Sequence, residues 1–147
     1  MNPYFEQQIL GADPIELVRL VYQRAISTVR EAREHLRSGR IAERSKAITR
    51  AYSALHELLS SLRPDAAPEL ASRLREMYWY MQQRLLDANL RQEDAPLTEV
   101  LGLLTTLAEA WDQIAEHAVA SEGKSGDWQS GSWGEKSGAG SGIPLEA

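Results

Sequence analysis

The sequence predicts an all-α fold, an antiparallel up-down-up-down four-helix bundle, and three observations carry that prediction. Four segments repeat apolar residues at alternating spacings of three and four, the period of a helix with one buried face. The breaks between them, Ser38-Gly39, Arg63-Pro64-Asp65 and Asp94-Ala-Pro96, are short, and short connections make consecutive helices run antiparallel. Each segment covers about 22 residues, or ~33 Å at 1.5 Å per residue, so the four match in length.

Helix one begins at Asp13-Pro-Ile-Glu16. Asp13 is suited to N-cap the helix, Pro14 to its first position, and Glu16 completes a capping-box spacing. Ile15, Val18, Tyr22, Ala25, Val29, Ala32 and Leu36 then form its seam. Leu17, Leu20 and Val21 widen the apolar arc in the first half only. Residues 1–12, with Tyr4, Phe5, Ile9 and Leu10, are too apolar for an idle tail and too short to fold alone. They read as an arm laid on that end of the bundle, the alternative being a frayed terminus. Gly39 ends helix one, free to take the left-handed C-cap conformation.

Helix two carries Ile41, Ile48, Ala51, Tyr52, Leu55, Leu59 and Leu62 on one side, and Pro64 stops it because a residue before proline avoids the helical conformation. Pro68-Glu69 opens helix three, whose expected seam is Leu70, Leu74, Met77, Met81, Leu85 and Ala88. The consecutive Tyr78, Trp79 and Tyr80 span about 200° at roughly 100° per residue, so one seam cannot take all three. They imply a second apolar contact, with another helix of this chain or of a partner; ordinary core packing is the alternative. Helix four carries Leu97, Val100, Leu104, Leu107, Trp111, Ile114 and Ala118, flanked by Leu101 and Leu103. The organisation expected is an arm at 1–12, a bundle at 13–120 and a flexible tail at 121–147. That tail holds seven of the chain's ten glycines, with Trp128 and Trp133 in a loose repeat that reads either as a docking motif or as idle linker.

Composition narrows the function. A chain of 147 residues supports one domain with a real core. The net charge of −5 argues against a dedicated nucleic-acid binder, which needs a basic footprint. Without cysteine there are no disulfides, thiolate metal sites or cysteine nucleophiles. No apolar run approaches the ~20 residues of a membrane span, and the first residues lack the pattern of a secretory signal. A soluble cytoplasmic protein is expected. His35, His56 and His117 are each preceded three residues earlier by Ala32, Ser53 and Ile114, so the Glu-x-x-His pairs of a di-iron bundle are missing. No phosphate-binding loop or nucleophile elbow appears. No cofactor, no metal and no enzymatic activity are expected.

Four stretches together resemble the flagellar secretion chaperone family, FliS. Glu76-Met-Tyr-Trp-Tyr-Met-Gln-Gln-Arg-Leu-Leu-Asp-Ala-Asn is similar to that family's Leu-Tyr-x-Tyr-Met-x-x-Arg-Leu-x-x-Ala-Asn pattern. Thr98-Glu-Val-Leu-Gly-Leu-Leu, ending in Ala110-Trp111, resembles its fourth helix, Ala12-Asp-Pro-Ile-Glu-Leu its first and Lys46-Ala-Ile to Glu57-Leu58 its second. The resemblance covers roughly residues 4–115, in the family's order. The chain departs from the pattern at Tyr22-Gln-Arg-Ala25, at Ala66-Ala67-Pro68 and at Tyr52, where the family usually has an aliphatic residue.

The resemblance implies a chaperone that binds the disordered C-terminal segment of flagellin in apolar grooves, one segment per chain, masking the surface that would polymerise before export. Physically this is folding coupled to binding. The partner-binding residues expected are Ile48, Tyr52 and Leu55 of helix two, Tyr78, Met81 and Leu85 of helix three, and Leu101 and Leu104 of helix four. Tyr4 and Ile9 of the arm would cover part of a groove until the ligand displaces them. Core packing is the alternative role for most of these. The rival functional readings are a self-associating structural bundle, an adaptor for another flagellar regulatory or export protein, and, least favoured, an enzyme or cofactor bundle.

Overall fold

The structure is a computed structural model that describes residues 14–63, 65 and 67–116. Helix α1 is Pro14–Arg37, α2 is Ile41–Ser60 and α3 is Pro68–Arg91. A fourth helix, α4, runs from residue 95 to residue 116, where the described residues stop, and no strand occurs among them. The chain divides into two compact units, Met1–Trp111 and Asp112–Ala147. The packing described below belongs to the first; of the second, only the helical residues 112–116 are described. The arm with Tyr4 and Ile9, the cap Asp13, the stop Pro64, Ala118 and the tail with Trp128 and Trp133 lie outside the described residues.

Local chemistry sets the helix ends. At the close of α1, Gly39 sits in the left-handed region at φ 72°, and the Arg40 amide reaches back to the His35 carbonyl at 2.9 Å, the wrap of a Schellman cap. Pro68 opens α3, where its missing N–H costs nothing. The other end of α3 is closed by Gln92 in the left-handed region at φ 58°, with the Glu93 amide on the Ala88 carbonyl at 3.2 Å. No glycine marks that cap in the sequence.

Cross-helix contacts show each neighbour running antiparallel, because residue numbers fall on one helix as they rise on the other. Glu31 pairs with Arg50 and Arg24 with Glu57 across α1/α2. Across α2/α3, Tyr52 meets Gln82 and Ser45 meets Asn89. Across α3/α4, Glu99 takes hydrogen bonds from Tyr80 and Arg84, and across α1/α4 Arg33 grips Asp94 while Tyr22 meets Trp111. Tyr22 also meets Tyr78, so α1 and α3 touch across the middle of the bundle. These contacts give the expected up-down-up-down arrangement.

The core is one cluster fed by all four helices, with Tyr22, Val29, Ile48, Leu55, Tyr78, Met81, Leu85, Leu97 and Leu104 among its largest members. Its phase differs from the expected stripes in α2, α3 and part of α4. In α3 the buried line is Ala71, Leu74, Tyr78, Met81, Leu85 and Ala88, whereas Leu70 is 56% exposed and Met77 half-buried. In α2 the inward face is Ala47, Ile48, Ala51, Ala54, Leu55 and Leu58, and Ile41 is exposed while Tyr52 and Leu59 sit on the edge. The small residues explain the rotation. Alanines at Ala47, Ala51 and Ala54 allow α2 to approach closely, and Tyr78 brings its hydroxyl to a partner that Met77 could not use. In α4, Leu107 is half-buried and Ile114 exposed, Ala108 taking the inward place.

Candidate partner-binding groove

The bundle's interior is stitched near one end by three aromatic side chains. The Tyr22 and Tyr78 hydroxyls lie 2.6 Å apart, and Trp111 Nε1 donates to the Tyr22 oxygen at 3.2 Å. The Tyr22 ring is tilted against those of Tyr78 and Trp111, at centroid separations of 6.4 and 6.5 Å. Burial pushes the Tyr22 phenol's pKa up, and that of Tyr78 further, because a phenolate there would lose its hydration. Both hydroxyls are therefore neutral hydrogen-bonding groups. Tyr78 and Trp111 also wall a mostly apolar pocket of about 240 Å³, bounded by Val18, Leu62, Leu70 and Leu74.

Three seams of the bundle are closed by ion pairs. Arg33 donates Nε and Nη2 to the two oxygens of Asp94, at 2.9 and 3.1 Å. The hydrogen bond from Arg33 holds the Asp94 carboxyl below its usual range, and a bond from Thr98 adds to this. Arg84 Nε, at 2.7 Å, and the Tyr80 hydroxyl, at 2.8 Å, both donate to Glu99, and these bonds, Arg84's first, lower the Glu99 carboxyl in the same way. Across α1/α2 stand the two pairs already named. Among the described residues, no ion pair crosses α2/α3.

That seam is closed by amides instead. Gln82 is 3% exposed and donates to the Tyr52 carbonyl at 3.3 Å, and Asn89 Oδ1 accepts from Arg44 Nε at 3.0 Å and Ser45 Oγ at 3.2 Å. Alongside it lies the largest run of exposed apolar side chains on α3: Trp79 at 59%, Leu86 at 46% and Leu90 at 81%. With Gln83 these positions fall within roughly 60° at 100° per residue, so they share one outward face. The register places Tyr52 level with Gln82, between Trp79 and Leu86, and sets the exposed Ile41 toward the Leu90 end. Trp79 to Leu90 is three turns, about 17 Å at 1.5 Å per residue.

The residues expected to bind a partner separate into groups. Ile48, Leu55, Tyr78, Met81, Leu85 and Leu104 are at most 2% exposed. The expectation of a groove open at these six differs from their burial, since each points at the shared centre and together they form the floor beneath the surface. Tyr52 and Leu101 are half-buried edge residues packed on the core, on α2 and α4 respectively. Sequence reasoning passed over Leu86, Leu90 and Ile41 as groove residues. The signal that could have found them is the 79–83–86–90 spacing, a second helical stripe on the face opposite the core stripe.

Comparison with known proteins gives the family. The family model described as Flagellar protein FliS matches residues 1–118. The chain is similar to the Flagellar secretion chaperone FliS of Salmonella typhimurium, 34% identical over 120 residues, covering 81% of this chain and 89% of the relative. It is similar to FliSB of Pseudomonas aeruginosa, 31% identical over 110 residues, covering 75% of this chain and 87% of that protein. It is also similar to FliS of Bacillus subtilis, 29% identical over 126 residues, covering 84% and 90%. With a family match over most of its length, and with relatives that are chaperones rather than enzymes, this chain belongs to the FliS family.

Proposed function

We propose that this protein is a cytoplasmic flagellar export chaperone that holds the C-terminal segment of flagellin, one segment per chain, by laying an amphipathic helix along the α2/α3 seam. The observation that carries this reading is the exposed strip of Trp79, Leu86 and Leu90, backed by Tyr52 and Ile41 on a seam free of ion pairs. An exposed contiguous apolar strip marks an interaction site, and a three-turn groove between helices suits the apolar face of a helix. Burying these side chains contributes on the order of 1–2 kcal/mol each, from which the cost of ordering the segment is subtracted. The buried Ile48, Leu55, Tyr78, Met81 and Leu85, packed with Leu104 of α4 in one core, hold α2 and α3 at the spacing the groove needs. Leu101 on α4 belongs to the wider surface that the segment covers in this reading, and the arm residues Tyr4 and Ile9 are displaced when it binds.

The test is calorimetric titration of the full chain with the C-terminal segment of the same organism's flagellin. Saturable 1:1 binding with a negative heat-capacity change and a gain of helical circular dichroism is expected. Trp79→Ala and Leu86→Ser each weaken it at least tenfold while leaving the fold intact. Full-strength binding by both variants would move the segment to another face; no binding by the unaltered chain would remove flagellin as the partner.

A further inference from the structure

We infer that the α2/α3 seam carries a two-point polar register, an acceptor at Gln82 and a donor at Asn89, that selects both the sequence and the direction of the helix docked on it. The inference rests on the groove proposed above and deepens it.

The geometry fixes what each amide has left to offer. A carbonyl only accepts, so the Gln82 nitrogen must be the atom facing the Tyr52 carbonyl, and Oε1 is turned away from it. Oε1 has no partner among the described residues, yet it is not closed off from the surface. At Asn89 the logic is reversed. Two donors, Arg44 Nε and Ser45 Oγ, converge on Oδ1, so Nδ2 faces away and donates to nothing among the described residues. Asn89 is half-exposed. The two residues stand two turns apart on α3, about 10.5 Å at 1.5 Å per residue, on the α2 side of the apolar strip.

A docked helix spends its own backbone N–H and C=O groups internally, so only side chains can meet these two atoms. The matching segment therefore carries, within its apolar face, a donor such as Ser, Thr, Asn or Gln opposite Gln82. Two turns away it carries an acceptor-only carboxylate, Asp or Glu, opposite Asn89. A uniformly apolar helix would cover both amides without pairing them, and a helix laid in reverse would set its carboxylate against the Gln82 oxygen, acceptor against acceptor. Leaving buried polar groups unpaired is what makes such sites discriminate. The groove thus rejects apolar helices that merely match its hydrophobicity, as a single polar position in a coiled-coil seam rejects the wrong register.

The test uses the full chain, the flagellin C-terminal segment as probe, and a double-mutant cycle read by calorimetry. Gln82→Met keeps the volume and removes the acceptor, together with the bond to the Tyr52 carbonyl. On the segment, each Ser, Thr, Asn and Gln is replaced by Ala in turn. One of these replacements is expected to weaken binding to the unaltered chain about tenfold and to have no further effect on Gln82→Met, which is itself weakened about tenfold. If Gln82→Met binds as tightly as the unaltered chain while Trp79→Ala and Leu86→Ser do not, the polar register is overturned and the groove stands. If Trp79→Ala and Leu86→Ser also bind at full strength, the groove falls and the register with it. Should Gln82→Met fail to fold, the segment replacements decide alone: equal affinity for all of them overturns the register.

Discussion

Across α1/α4, Arg33 forks onto both oxygens of Asp94; across α2/α3, the buried Arg44 bonds Asn89, at its side-chain oxygen and its backbone carbonyl. The contrast extends along both seams. Exposed ion pairs contribute little to stability, about 0–1 kcal/mol each, so the α2/α3 seam is not weak for lacking them. What differs is the surface left behind. A seam edged by charges must shed their hydration before an apolar partner can settle on it. A seam edged by amides, with Tyr52, Trp79 and Leu86 beside them, has far less to shed.

The sharpest break of this comparison comes from two neighbouring leucines. Leu85 is fully buried and Leu86 is 46% exposed. Leu85→Ala is expected to lower unfolding free energy by about 2–5 kcal/mol, read from urea denaturation, because it leaves a cavity in a close-packed core. Leu86→Ala is expected to stay within about 0.5 kcal/mol of the unaltered chain and to weaken segment binding instead. Next in size is Tyr22→Phe. It takes away the oxygen shared by Tyr78 and Trp111, and leaving buried polar groups unpaired costs about 1–3 kcal/mol, seen as a lower urea midpoint with the same slope.

The smallest effect is the acid response of the closed seams. Asp94 and Glu99 have folded pKa values below their unfolded ones, so the stability they add is complete above the ordinary carboxylate range. It is lost as pH falls through and below about 4. Asp94→Asn and Glu99→Gln are expected to flatten that part of the stability-against-pH profile. An unchanged profile in both would mean that these pairs add nothing to the folded state.

Helix number, direction and most boundaries follow from periodicity and breakers, which is why α1 and α3 begin at Pro14 and Pro68 as the sequence implies. The phase of α3 was harder to read. Leu70 and Met77 outrank Ala71 and Tyr78 by hydrophobicity, yet Tyr78 is buried because Tyr22 gives its hydroxyl a partner on a helix far away in sequence. The cap at Gln92 carries no glycine to announce it. The groove was the least legible part. Trp79 and Leu86 become one surface with Tyr52 only through the register that Gln82 and Asn89 impose, and such a register is a property of two helices together.

The placement of two tryptophans has a practical consequence. Trp79 is 59% exposed on the proposed groove, and Trp111 is half-buried against the Tyr22 phenol. With Trp128 and Trp133 replaced by phenylalanine, the chain becomes a two-channel optical sensor. Trp79 emission is expected to shift to the blue when a segment occupies the proposed groove, while that of Trp111 is expected to keep its colour until the bundle melts. Occupancy and integrity can then be followed separately in one cuvette, without a label.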